Sequence, residues 1–238
     1  MVTFDHRDAG TLESTWAADG RWQTMPEHTP AVIAEALIVA AHPDDETLGA
    51  GGLATRLHHV GVRLTILLAS RGDASHACDN TERRVDEFIS AILRLAPGTA
   101  VIDLGLPDSE LHEHADELEA AVSDAAASTN LIVAPWRGDG HRDHRIAGEA
   151  AARAATENGI ELLEYPIWLW HWAEPSMTDV PWDEFVRVTL DTTEHDSKSA
   201  ALLSYTSQTE GGEEAPILHE GMLSHFHRSW ETFIRQAA

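Results

Sequence analysis

The sequence predicts an α/β fold: a Rossmann-like, mostly parallel sheet with helices on both faces. Three observations carry that expectation. Between Ala36 and Asn158, short apolar runs of strand length alternate four times with longer, helix-length stretches. Polar clusters follow the first and the fourth of those runs, at the carboxyl strand ends where open α/β sheets bind ligands. A chain of 238 residues, 43% hydrophobic and 24% charged, suits one soluble domain with a sizeable core.

Residues 1–30 read as an irregular N-terminal segment, closed by Pro26 and Pro30, and 31–238 as a single α/β domain. Ala36 to Ala41 is uniformly apolar and reads as a buried strand. Glu46 to His59 reads as a helix, with His58 and His59 in its last turn and Gly61 just beyond. Val62 to Ala69 is a second strand. Glu82 to Leu95 is amphipathic, with Val85, Phe88, Ile89, Ile92 and Leu93 on one helical face, and Pro97-Gly98 ends it. Ala100 to Leu104 is a third strand. Leu111 to Ala127 is a helix with Leu118, Ala121, Val122 and Ala125 inward. Leu131 to Ala134 is a fourth strand, and Asp143 to Asn158 an Ala-rich helix stopped by Gly159. Such alternation joins parallel strands by helical crossovers. Further on, Leu162 to Leu169 and Phe185 to Leu190 read as strands. Leu223 to Arg235 reads as a final helix with Phe226, Trp230, Phe233 and Ile234 on one face.

Composition excludes several functions. A formal charge of −24 repels a polyanion, so no nucleic-acid partner is expected. No apolar run approaches the roughly 20 residues of a transmembrane helix. Met1 to Gly10 carries Asp5, Arg7 and Asp8 and lacks a signal-peptide core. The expectation is a cytoplasmic protein with no transmembrane segment. One cysteine, Cys78, excludes an intramolecular disulfide and a Cys-based zinc cluster. A metal site must therefore draw on the 15 His and the 40 Asp and Glu.

The two polar clusters are His42-Pro43-Asp44-Asp45-Glu46 and His141-Arg142-Asp143-His144. A catalytic zinc takes three nitrogen or oxygen ligands and leaves a position for water. His42 and Asp45, three residues apart on the turn into a helix, can face one point, and His144 at the start of another helix can supply a third ligand. Two imidazoles and one carboxylate suit zinc. Asp44 lies between ligands and is free to take a proton from the attacking water. His141, one turn before His144, can face the substrate. Taken singly, paired Asp residues at a helix start are commonly caps, and a His beside a carboxylate is commonly a surface pair. Both clusters at strand ends of one sheet are a more specific signal.

Other features weigh less. Gly49-Ala50-Gly51-Gly52-Leu53-Ala54 fits a dinucleotide pattern, but three carboxylates separate it from the strand and would repel a pyrophosphate. Close helix–sheet packing is the better reading of these glycines. Among eight Trp, Trp168, Trp170 and Trp172 alternate along a predicted strand and its exit, so they share a face; core packing is their default role, and the alternative is that at least one contacts the apolar face of a sugar or a lipidic tail. Trp136, close before the second cluster, is a candidate substrate contact. His219, His225 and His227 read as surface residues.

Ala41-His42-Pro43-Asp44-Asp45-Glu46, with His141-Arg142-Asp143-His144 about a hundred residues later, resembles the LmbE-like, PIG-L family of zinc-dependent N-acetylglucosaminyl deacetylases. The resemblance runs roughly from Leu37 to Gln208. It implies one Zn²⁺ per chain on His42, Asp45 and His144, another divalent metal being compatible. It implies that Asp44 is the general base, that His141 polarises or protonates near the scissile amide, and that Asp143 orients His141. Arg84-Val85-Asp86-Glu87 matches the family's Arg-x-x-Glu helix, whose arginine contacts sugar hydroxyls. The plainer alternative is an Arg84–Glu87 surface ion pair. Asp108, in Leu106-Pro107-Asp108-Ser109, matches an acidic residue with the same duty. Lys198 to Gln208 resembles a late family helix in which His often stands where this chain has Tyr205. Some sugar-thiol relatives carry Tyr at the position of Asp139.

The function so implied is removal of an N-acetyl or N-acyl group from an amino-sugar conjugate, by attack of zinc-bound water on the amide. The partner is an N-acetylated amino-sugar small molecule, and a homo-oligomer is compatible. The alternative is a non-catalytic, metal-containing sugar-binding or interaction protein of the same fold. Asp44 discriminates, because a binding protein has no use for an unliganded carboxylate beside the metal.

Overall fold

The computed structural model of the protein describes residues 4–30, 33–74, 81–210 and 216–235. Cys78 lies outside the described residues. In chain order the elements begin with a short helix, α1 (Glu13–Ala17). There follow β1 (Glu35–Ala40), α2 (Asp45–His59), β2 (Arg63–Ser70), α3 (Thr81–Leu95), β3 (Ala100–Leu106), α4 (Ala115–Ala126), β4 (Leu131–Pro135) and α5 (Arg142–Asn158). Then come β5 (Glu161–Tyr165), α6 (Leu169–Trp172), β6 (Phe185–Thr189), α7 (Thr192–Leu202), α8 (Thr206–Thr209), α9 (Glu220–Ser224) and β7 (Trp230–Arg235).

The seven strands among the described residues form one sheet in the order β3-β2-β1-β4-β5-β7-β6. The first five are mutually parallel, and β7 runs antiparallel to both β5 and β6. β1 sits between β2 and β4, and its apolar run shows why. Ala36, Ile38 and Ala40 face one hydrophobic cluster with α2 and α3, while Leu37, Val39 and Ala41 face a second with α4 and α5. A strand covered on both faces needs apolar residues at every position. β3, at the edge, is the most exposed strand of the parallel set.

The expected glycine role holds: a Cβ on Gly49 would overlap the Tyr165 ring, and one on Gly52 the Leu190 side chain. α2 is kinked at Ala50 (φ −144°, ψ 17°). Lys198 donates to the Leu48 carbonyl at 2.7 Å, and Glu231 accepts from the Gly52 and Leu53 amides at 2.7 and 2.8 Å. Lys198 and Glu231 also pair at 2.7 Å, so the main-chain groups freed by the break are satisfied by one buried ion pair.

Four expectations need correction. The segment 1–30 is not simply irregular: α1 and the turn Gly20–Gln23 bury Trp16 and Trp22, and the Trp16 indole donates to the Trp170 carbonyl at 2.8 Å. Leu162 to Leu169 is not one strand. β5 stops at Tyr165 before Pro166, which cannot donate to a ladder, so Trp168, Trp170 and Trp172 do not share a strand face. Leu223 to Arg235 is not a helix. It divides into α9 and β7, whose Trp, Thr, Phe and Ile suit a strand paired with β6 from Phe185↔Ile234 to Thr189↔Trp230. The buried stripe of α3 is Arg84, Phe88, Ala91, Ile92 and Leu95, which leaves Ile89 and Leu93 exposed. In addition, Leu111–Glu113 is a separate 3₁₀ turn ahead of α4. No helix among the described residues is long and apolar enough to cross a membrane.

Candidate active site

β1 and β4 are neighbours, and the chain leaves them toward opposite faces of the sheet, so a crevice opens at their carboxyl ends. β1 runs directly into His42–Glu46. β4 runs through a turn to His141, which caps α5 by accepting the Asp143 amide on Nδ1 at 3.2 Å.

The loop after β1 folds back on a carboxylate. Asp45 Oδ2 accepts from the amides of Ala41 (3.1 Å) and His42 (2.9 Å). Its Oδ1 lies 3.2 Å from His144 Nε2, and its Oδ2 lies 3.6 Å from His42 Nδ1. Donor nitrogens of His42, His141 and His144 fall within 4.8 Å of one another. His42 Nε2 meets Asp108 Oδ1 at 3.1 Å and Asp143 Oδ2 at 3.3 Å, and these three residues form a second group of converging donors. All of these residues are buried except His141, which is half-buried.

Asp139 is the residue that sequence reasoning undervalued. It is fully buried, and its Oδ2 lies 2.6 Å from His144 Nδ1. Its carboxylate also accepts from the amides of Ile167, Trp168 and Leu169 at 2.9–3.0 Å. With Nδ1 engaged, His144 presents Nε2 to Asp45, the arrangement by which a carboxylate orients a metal-ligating histidine. The available signal is a carboxylate in the turn just ahead of His141–His144, which in the sequence alone reads only as a departure from Tyr.

So many buried carboxylates perturb one another. Burial and the charge of Asp45 push Asp44 up to about 8, with Arg84 only partly offsetting them. Burial also raises Glu46 to about 7, against hydrogen bonds from Thr47 and Tyr205. Burial opposes charge on His144, but Asp45 and Asp139 outweigh it and lift the imidazole to about 9. His42 is likewise raised despite burial, by Asp108, Asp143 and Asp45. Burial works against the Asp45 carboxylate, yet His144 and His42 hold it well below its ordinary range. His141 is depressed to about 3 by burial and by the neighbouring imidazoles. In the absence of a metal, protons on His42 and His144 neutralise the acidic cluster. A divalent cation supplies the same compensation with the same imidazole and carboxylate donors, so the donor set fits a divalent metal.

Around this centre lies a cleft of about 620 Å³. Asp44, His141, Asp143, Arg84 and Asp108 all line it beside His42, Asp45 and His144. Asp44 adopts φ 127°, a conformation that disfavours any residue with a Cβ, and its amide donates to Glu46 Oε2 at 3.3 Å. Arg84 donates to the Gly72 carbonyl at 2.6 Å and stands 3.8 Å from Asp44. Arg84 is therefore not in a surface pair with Glu87. Glu87 pairs with Arg83 at 3.0 Å and accepts from the amide of Ser207 at 2.9 Å. Asp108 reaches the cleft but holds His42, and its Oδ2 accepts from the Ala74 amide at 3.0 Å. Asp143 meets His141 through its main-chain amide, while its carboxylate turns to His42 and to the Ser109 amide at 2.8 Å.

Trp136 is not brought to the cleft. Its ring packs edge-on to Phe185, 6.4 Å between centroids, while Trp168 lines the cleft instead. Trp170 packs edge-on to Trp16 in the core, and Trp172 donates to the Asp139 carbonyl at 2.8 Å. Of the three late histidines only His227 is exposed. His225 is buried, 2.7 Å from Glu13, and His219 caps α9 by accepting the Met222 amide at 3.2 Å. Tyr205 donates to Glu46 at 2.6 Å and so supports the first cluster from behind.

A mostly parallel α/β sheet with a buried imidazole–carboxylate cluster on the floor of a cleft, its donors suited to a divalent cation, defines the class of protein. Within that class the chain belongs to the PIG-L family, described as GlcNAc-PI de-N-acetylase, whose model matches residues 37–155. Among solved structures it is similar to the antimicrobial reagent A40926 pseudoaglycone deacetylase Dbv21: 20% identity, TM-score 0.65, covering 86% of this chain and 99% of that one. It is also similar to the N,N'-diacetylchitobiose deacetylase from Pyrococcus horikoshii: 17% identity, TM-score 0.63, covering 86% and 84%. A conserved protein from Thermus thermophilus is 27% identical with a TM-score of 0.55, covering 73% and 79%. These likenesses bear out the mixed, mostly parallel fold. No curated protein matches the chain.

Proposed function

We propose that the protein is a zinc-dependent N-deacetylase that removes an acetyl or other acyl group from the nitrogen of an amino-sugar conjugate. The observation that carries this is Asp44. It is a buried carboxylate that lines the cleft, next to Asp45 on strained backbone and 3.8 Å from Arg84. Family membership and the amino-sugar deacetylases among similar structures support the substrate class.

His42, Asp45 and His144 would hold the ion, which supplies Lewis acidity toward water and the amide carbonyl. Asp44, unliganded and lining the cleft, accepts the proton of the attacking water. Arg84, 3.8 Å away, keeps that carboxylate aimed into the cleft. His141 accepts a main-chain amide on Nδ1, so its proton sits on Nε2, where it can donate to the oxygen developing negative charge. Asp44 then delivers its proton to the leaving amine.

The test is amine release from glycosides of N-acetylglucosamine, with metal content measured on the same samples. Chelation should abolish release, and zinc should restore it. His144→Ala should lose both metal and activity. Asp44→Asn should keep the metal and lose about 10²–10⁴-fold in kcat/KM, the usual worth of a general base. Full activity in Asp44→Asn, or indifference to chelation, would refute the mechanism.

A further inference from the structure

The cleft is lined by side chains of two origins. The ionisable groups other than His6, from His42 and Asp44 to His144, fall within the family-matched residues 37–155. Lining residues from outside that match come from separate places: Phe4 and His6 near the N-terminus, Ile167 and Trp168 after β5, and Gln208, Ile217 and Leu218. They are largely apolar: Phe4, Ile167, Trp168, Ile217 and Leu218, with His6 and Gln208 beside them. The Phe4 and Trp168 rings are stacked 5.1 Å apart, and Asp139 fixes the Trp168 amide at 3.0 Å while it orients His144. The apolar surface is thus tied directly to the reactive centre.

A lone acetylated hexose fills only part of such a cleft, whose 620 Å³ lies within the usual range of about 300–1,000 Å³ for sites of drug-sized ligands. The remainder penalises a polar extension. Sugar hydroxyls laid on Ile217 and Leu218 would lose water without gaining hydrogen-bond partners. An apolar group there gains burial and aromatic contact.

We infer that the substrate carries an apolar substituent, aromatic or aliphatic, that lies on the Phe4–Trp168–Ile217–Leu218 surface while the amide reaches the metal centre. The inference rests on the deacetylase reading for the identity of the reacting end alone. One apolar chemistry has two sources here, a long N-acyl chain or a hydrophobic aglycone.

Two measurements on the full chain with zinc test this. The first is binding, by calorimetry, of hexyl, methyl and glucosyl glycosides of glucosamine, which contain no amide and cannot turn over. If the aglycone lies on the surface, the hexyl compound binds at least about tenfold tighter than the other two, as partial burial of its methylenes requires. The second is kcat/KM for N-hexanoylglucosamine against N-acetylglucosamine, which rises at least about tenfold if the acyl chain lies there. In Phe4→Ser and Ile217→Ser the favoured ratio should fall toward one; ratios within one protein are insensitive to its folded fraction. Neither ratio exceeding one, tighter binding of the glucosyl compound, or ratios unchanged in both variants would overturn the inference. Hexyl preference in binding with no amine released from any amide would keep the surface and overturn the deacetylase reading instead.

Discussion

The metal-type centre and the tryptophan-rich flank both bury many polar groups, and they handle them in opposite ways. At the ends of β1 and β4, carboxylates crowd one another until Asp44 rises to about 8 and His144 to about 9. In the flank, indole and guanidinium donors meet carbonyl and carboxylate acceptors rather than crowding like charges. The Trp16 indole donates to the Trp170 carbonyl at 2.8 Å, and the Arg228 guanidinium lies 4.4 Å from the Trp170 ring centre and bonds Glu13. The flank is held by paired groups and packed rings; under the proposed function the centre holds a cation that compensates its crowded carboxylates.

Substitutions that separate stability from metal affinity sharpen this contrast, and the largest effect belongs to the flank. Trp16→Ala removes a fully buried indole and should cost about 3–5 kcal/mol of unfolding free energy. Zinc affinity of the variant that remains folded should not change. A matching loss of zinc affinity in denaturant and metal titrations would show that the two regions are one unit.

Asp139→Ala does the reverse. Removing the partner of His144 Nδ1 should weaken zinc binding about 10–100-fold in chelator competition. Asp139→Asn should recover only part of this, because its amide can stand in for one acceptor oxygen but not for the charge. Wild-type affinity in both variants would mean that Asp139 serves the amides of Ile167, Trp168 and Leu169 alone.

The smallest effect is a pH trend. His144 titrates near 9 in the folded protein against an ordinary 6.5, so the stability it contributes is complete below 6.5 and lost as pH rises toward 9. His42, also raised, acts in the same direction. Asp44 stays protonated to about 8 when folded but ionises near 3.8 when unfolded, which also lowers stability as pH climbs. His141 has the opposite sign, but its contribution changes only between about 3 and 6.5. The thermal midpoint of chelator-treated protein should therefore fall between pH 6.5 and 9, and zinc should flatten the profile. A midpoint unchanged in chelator would locate no frustration in this cluster.

The contrast also explains what could be read from sequence. β1 and β4 were legible because strands buried on both faces are apolar throughout, and the clusters that follow them stand out against that background. β7 was not. Phe226, Trp230, Phe233 and Ile234 have helical spacing, and only pairing with β6 decides that Trp230–Arg235 is extended. The buried face of α3 does not follow from its apolar residues alone, since Arg84 bonds Gly72, 12 residues earlier, and Glu87 bonds Ser207, 120 residues on. Trp168 rather than Trp136 reaches the cleft because the turn at Pro166 redirects the chain after β5. Asp139 needed the amides of Ile167, Trp168 and Leu169 in place before its role could be seen.

The break in α2 has a consequence for synthesis. The helix that carries Asp45 is capped at its kink by Glu231, which bonds Gly52 from 179 residues further along the chain. While a nascent polypeptide is still on the ribosome, every cluster residue from His42 to His144 emerges long before that cap. Until β7 joins the sheet, Lys198 has no carboxylate to meet and the second half of α2 no acceptor for its first amides. A chain stopped short of Glu231 would hold a complete set of metal donors on an unfinished scaffold. Closure of the α2 break thus waits on β7, whose Glu231 follows Gly52 by 179 residues.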